Sequence, residues 1–244
     1  MRRLCSAGWR RTGHSLPIGS LRNWRTSVGY GPQVIMLEPP SARDFFIRAN
    51  IWPSAQEHAM RANAQDHFVY GLPHDHNFDF LTVGYFGPGY RSDYYEYEYG
   101  TVAGFRDEIV DLRFVESSTL EPGTVLHYRA HRDVHAQHPP ESLSVSLNIM
   151  HTGGAQGWMD QYAFDLERRT VQGILSRGSS EAFVRIAVGL GSAEALDLAE
   201  RFGASHPSDR MRLTAYAALA SVADGAAARE AVWRRAEAGG SRMV

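Results

Sequence analysis

Lysine is absent from this chain: all 25 Lys+Arg positions are arginine. A Schiff-base lysine, a pyridoxal-phosphate anchor and a Walker-type lysine are therefore excluded. The single cysteine, Cys5, rules out intrachain disulfides, CxxC redox pairs and thiolate zinc clusters, so any metal must be held by histidine and carboxylate. No apolar run approaches the ~18 residues needed to span a bilayer, and the residues before Glu38 lack the continuous apolar core of a secretory signal. The expectation is a cytoplasmic protein with no membrane partner. With a formal charge of -2 and a pI near 6.6 the chain has no overall attraction to phosphate backbones, and no nucleic-acid partner is expected.

At 244 residues, 43% hydrophobic and 21% charged, the chain has the composition of a globular protein with one well-buried core and a smaller appendage. Residues 1–27 carry Arg2, Arg3, Arg10, Arg11, Arg22 and Arg25 with no acid, and read as a poorly ordered segment with some likeness to a transit peptide. Residues 28–178 are a succession of short β-rich runs, among them "DFFIRANIWP", "SDYYEYEYG", "GTVLHYRA" and "SLSVSLNIM", separated by Gly/Pro turns with one short helix in "SAQEHAMRANAQ". Strands spaced this way without intervening helices predict a mainly β sandwich or barrel. From Ser179 to the end the sequence becomes Ala/Leu/Arg/Glu-rich with three- and four-residue apolar spacing, which predicts amphipathic helices capped by Ser192, Ser208 and Asp224. "SHPSDRMRLTAYAALASV" resembles a helix pair of a HEAT-type repeat; so few pairs are expected to pack on the barrel or on a second subunit, giving a homodimer.

The chemistry concentrates in the histidines. His74 and His76, in "GLPHDHNFDF", stand two residues apart, so on a strand both imidazoles face one way. A third ligand must come from elsewhere, and "HYRAHRDVHAQH" supplies candidates: His135, opening a strand after a short loop, or His131 within the loop. Three neutral imidazoles on one face of an ion leave up to three positions open, as in non-haem Fe(II) oxygenase sites.

"PHDH" followed by "EPGTVLHYRAHRDVH" resembles the two motifs of the cupin superfamily, which are jelly-roll barrels with a metal inside. Phe80 and Leu81 stand where the first motif of that superfamily has a glutamate, so the resemblance is to its three-histidine, cysteine-dioxygenase-like branch. "HDHN", "SVSLNI" and Arg48 in "FFIRAN" add to it, Arg48 standing where that branch has the arginine that grips a substrate carboxylate. Met150 and Asn148 depart from it, replacing a tyrosine and a second-shell histidine of the branch.

The resemblance implies a cupin jelly-roll barrel with a C-terminal α-helical appendage, holding Fe(II) through His74, His76 and His135. Its reaction would be an O2-dependent oxidation of a small carboxylate-bearing metabolite. Arg48, Tyr95 and Tyr97 are the expected substrate-binding residues, and Ser146 and Asn148, on the polar face of "SLSVSLNIM", are expected to stand behind the metal ligands inside the barrel. Two other classes stay open: a non-redox isomerase or lyase using Zn, Mn or Ni, and a ligand-binding barrel without catalysis.

Overall fold

The computed structural model describes residues 2–4, 33–40, 44–63, 68–176 and 179–243. Their contacts divide the chain into two units, Met1–Tyr97 with Leu112–Gly153, and Glu98–Asp111 with Gly154–Val244.

The first unit contains β1 (Arg2–Leu4), β2 (Val34–Glu38), β3 (Phe45–Trp52), α1 (His58–Asn63), β4 (Phe80–Phe86), β5 (Arg91–Glu96), β6 (Arg113–Thr119), β7 (Val125–Tyr128), β8 (Asp133–Gln137) and β9 (Ser144–His151). One sheet runs β1-β7-β4-β9-β3-β2 and the other β6-β5-β8, with the segment around Tyr70 and His74 bridged to β8 at its free edge. From β3 to β9 the chain crosses to the other sheet after every segment except between β5 and β6. This is the strand order of a double-sheet jelly roll. The protein is thus mainly β with C-terminal helices, as the turn spacing predicts. Of the Arg-rich segment 1–27, residues 2–4 pair with β7; the rest of that expectation lies outside the described residues.

Alternation decides what faces inward. On β9 the buried side is Ser144, Ser146, Asn148 and Met150, while Val145, Leu147, Ile149 and His151 face out. Antiparallel register then sets rows across the sheet: Arg48 beside Asn148 beside Thr82, and Phe46 beside Met150 beside Phe80 beside Tyr128. Trp52, Phe80, Tyr90, Tyr94, Leu120, Leu126, Tyr128 and Met150 fill the space between the sheets. Complete burial of a side chain such as Leu126 or Met150 contributes about 1.5–3 kcal/mol. The Gly87-Pro88-Gly89 turn joins β4 to β5 with φ of 79° and 85° at its glycines, a left-handed conformation that disfavours a side chain. At Gly84 the constraint is proximity: a Cβ there would stand 2.2 Å from the Glu121 carbonyl oxygen.

The second unit contains a hairpin, β10 (Tyr162–Asp165) and β11 (Thr170–Ile174), followed by α2 (Ser180–Gly189), α3 (Ala193–Ser205), α4 (Asp209–Val222) and α5 (Gly225–Ala238). The sequence places the domain boundary at residues 178 and 179, whereas the contacts divide the chain at residues 153 and 154. The physical reason is that β10 and β11 pair with each other, and Thr170 with Ile109, so the hairpin and the 98–111 segment form one unit with the helices. Ser192 and Ser208 cap α3 and α4 through their hydroxyls, each accepting from a backbone N–H three residues on, while Asp224 precedes α5 without a side-chain cap. The core of this unit is mostly aliphatic, with Val184, Val188, Ala199, Met211, Ala215, Ala218 and Leu219 around Tyr216, and Trp158, Phe202 and Trp233 packed against it. Among the described residues no helix is long and apolar enough to cross a membrane.

Candidate metal centre

The segment after the Gly71-Leu72-Pro73 turn is tied to β8 by a reciprocal backbone pair. His74 and His135 each donate an N–H to the other's carbonyl at 3.0 Å. Two residues on, the His76 carbonyl accepts from the N–H of His131 at 2.8 Å. His131 sits in the β7–β8 turn with a left-handed φ of 56°. His135, and not the alternate ligand His131, completes the histidine cluster.

His74, His76 and His135 are all buried, and their ligand atoms lie within 4.8 Å of one another. His76 Nε2 is 3.0 Å from His135 Nε2, which is 3.2 Å from His74 Nε2. His74 Nδ1–H donates to the Leu72 carbonyl at 2.8 Å, so its Nε2 carries the lone pair. Burial holds the His74 pKa down to about 4. Burial also keeps His76 and His135 well below the ordinary histidine value, aided at both by His74 and at His76 further by His135 and Arg48. The result is three neutral imidazoles converging without a carboxylate.

Such a donor set fits a metal. Two nitrogens each about 2.0–2.1 Å from one ion, at tetrahedral or octahedral angles, stand about 2.8–3.4 Å apart. The spacings of 3.0 and 3.2 Å match that requirement.

Aromatic side chains wall the site. Phe80, where the resembled family has a glutamate ligand, stacks on Tyr128 at 4.3 Å and meets His76 edge-on at 4.8 Å. The Tyr128 ring lies 4.7 Å from that of His135, and its hydroxyl donates to Tyr94 at 3.2 Å. Burial first, and Tyr94 beside it, push the Tyr128 phenol well above its usual range, so it stays protonated. The Gln137 amide lies 3.2 Å from both ring nitrogens of His135.

The structure distributes the remaining expected site residues unevenly. Arg48 is on the inner face beside Asn148 and Thr82, with its charge acting on His76. Ser146 and Asn148 are buried inside the barrel, but Ser146 accepts from Trp52 Nε1 at 2.9 Å and Asn148 from Thr82 Oγ1 at 2.6 Å; neither bonds a site histidine. Tyr95 and Tyr97 do not line the histidine site. In the β5–β8 register Tyr94 stands opposite His135, so alternation turns Tyr95 and Tyr97 to the other face. Tyr95 packs on Phe114, and Tyr97 hydrogen-bonds Asp75. Tyr94, Tyr128, Phe80 and Gln137 are the side chains sequence reasoning missed, although Gln137, two residues after His135 on a strand, carried a signal of shared facing.

Neither a protein-family model nor a curated protein sequence matches the chain. Among solved structures, a chain from a study of DMSP lyases matches with 17% identity and a TM-score of 0.32, over 52% of this chain and 50% of that one. A cupin-like protein from Thermotoga maritima matches with 10% identity and a TM-score of 0.30, over 56% and 80%. A cupin domain from Bordetella pertussis Tohama I matches with 13% identity and a TM-score of 0.28, over 50% and 97%. The chain thus spans about half the length of the DMSP lyase chain it matches. Likenesses this faint say nothing about activity; the jelly roll rests on the strand order and the metal centre on the histidines.

Proposed function

We propose that the protein is a cupin-type mononuclear metal enzyme that holds Fe(II) through His74, His76 and His135 and oxidises a small carboxylate-bearing metabolite, an amino acid or a derivative, with O2. The observation that carries this reading is the convergence of three buried, neutral Nε2 atoms with no carboxylate among them. Bound iron would supply open positions for substrate and O2 and the electrons that pass between them. Three neutral donors leave the ion's charge uncompensated, which favours an anionic substrate. Arg48, whose charge already reaches His76, supplies a guanidinium to pair with its carboxylate. Phe80 and Tyr128 exclude water on one side, and the Tyr128 ring packs on His135 while its hydroxyl donates to Tyr94.

That hydroxyl pair also favours a second reading. Neutral phenols next to a Lewis-acid ion suit a lyase or isomerase, in which a proton moves without redox change. Metal content of protein purified anaerobically, followed by O2 uptake with a panel of amino acids and thiols, separates the two. Stoichiometric iron and substrate-dependent O2 uptake, both lost in His74→Ala, are expected; a stoichiometric redox-inert metal with no O2 uptake selects the second reading.

A further inference from the structure

Asp75 lies between two of the site histidines and is completely buried, yet it is not one of the clustered ligands. The segment is bridged to β8 at His74, and with the His74 and His76 rings turned into the cluster Asp75 points away from it. There its Oδ2 accepts from the Tyr97 hydroxyl at 2.6 Å. Tyr97 is buried too, and its backbone N–H donates to the Arg132 carbonyl at 3.2 Å. Arg132 follows His131, whose own N–H binds the His76 carbonyl.

The 74–76 segment is thus gripped at three consecutive residues. His74 is fixed by its backbone pair with His135, His76 by the β7–β8 turn, and Asp75 by Tyr97, which is anchored to that same turn. We infer that Asp75 and Tyr97 form a positioning strut for the metal centre, setting the angle at which His74 and His76 present their Nε2 atoms from the face opposite the site. This inference rests on the metal reading above. A buried carboxyl group is costly unless a partner meets it, and a short hydrogen bond from a rigid phenol fixes direction as well as distance. A small turn about the 74–76 backbone would swing the two imidazoles together and change the 3.0 Å and 3.2 Å spacings that suit one ion. Neither Asp75 nor Tyr97 belongs to the histidine cluster itself, so both are positioning rather than catalytic residues.

The test uses Co(II) as the probe, titrated into the metal-free full-length protein. Wild type, Tyr97→Phe, Asp75→Asn and His74→Ala are compared by Co(II) affinity, by the visible absorption of the bound ion and by thermal unfolding without metal. Loss of an outer partner of this kind costs about 10–100-fold in metal affinity. Tyr97→Phe is expected to show that loss together with an altered Co(II) spectrum. Asp75→Asn, which still accepts from Tyr97, is expected to recover most of the affinity. If Tyr97→Phe binds Co(II) with wild-type affinity and spectrum while His74→Ala does not bind, the strut is overturned and the metal reading stands. A lowered affinity with an unchanged spectrum, tracking a lowered unfolding temperature, also overturns it, because that is a merely structural role. Wild-type binding by His74→Ala overturns the metal reading itself.

Discussion

In the barrel the buried side chains are Trp52, Tyr90, Tyr94 and Tyr128 together with Thr82, Ser146 and Asn148, whereas in the helical unit they are chiefly Val184, Val188, Ala199, Ala215 and Ala218. The two interiors are built for different ends. Small aliphatic side chains let helices approach closely and leave few polar atoms to satisfy. An interior of hydroxyls, amides and imidazoles must pair its polar groups or lose stability; Trp52–Ser146, Thr82–Asn148 and Tyr128–Tyr94 are paired, while His76 Nδ1 and Gln137 Oε1 are buried without a hydrogen bond. What the barrel gains is a set of polar groups held in fixed directions, which is the condition for a site.

The largest expected effect lies at that site. His74→Ala or His135→Ala should abolish stoichiometric metal binding, while a core change in the helical unit such as Ala215→Gly should leave it unchanged; elemental analysis of the purified variants checks both. Next come the glycines. Gly84→Ala forces a Cβ against backbone at 2.2 Å, which cannot move without the β6–β7 connection, whereas at Gly203 the obstacle is the Tyr216 ring at 3.0 Å, which can shift. Gly84→Ala should therefore destabilise more than Gly203→Ala, the latter within the roughly 1–3 kcal/mol usual for overpacking. Denaturant unfolding of the two variants measures the order.

The buried histidines also make the metal-free barrel acid-sensitive. His74 has its pKa lowered from 6.5 to about 4, so the unfolded chain binds its proton first, and stability falls as pH drops from about 6.5 toward 4. This group alone contributes a loss on the order of 3 kcal/mol across that window. Stability against pH should fall more steeply for metal-free wild type than for His74→Ala inside this range, and with matching slopes above and below it. The smallest effect concerns α2, which leaves Phe183 and Ile186 exposed, as is Leu190 just after it. The homodimer expected through the C-terminal helices predicts a concentration-dependent mass that Ile186→Glu lowers in sedimentation; identical monomer masses for both proteins count against it.

Much of the site is legible in the sequence because it depends on local rules. The i, i+2 spacing of His74 and His76 and the strand opened by "RDVH" suffice to bring three histidines together. The choice between His135 and His131 is not legible, since it turns on a left-handed turn residue whose backbone N–H is committed to the His76 carbonyl. The tyrosines of "YYEYEYG" show the other limit. Alternation groups Tyr95 with Tyr97 and sets Tyr94 apart, but only the register of β5 on β8 decides which group faces His135. The polar face of "SLSVSLNIM" could equally have faced solvent; pairing of β9 between β3 and β4 turns it inward. The hairpin β10–β11 reads as another barrel strand pair in sequence because strand propensity does not specify a partner.

Whether the three histidines hold an ion is decided by the metal content of the protein purified without oxygen, compared with His74→Ala prepared in parallel. One iron per chain in the wild type and none in the variant is the predicted result. Wild-type protein free of metal, or a variant that retains it, would contradict the account.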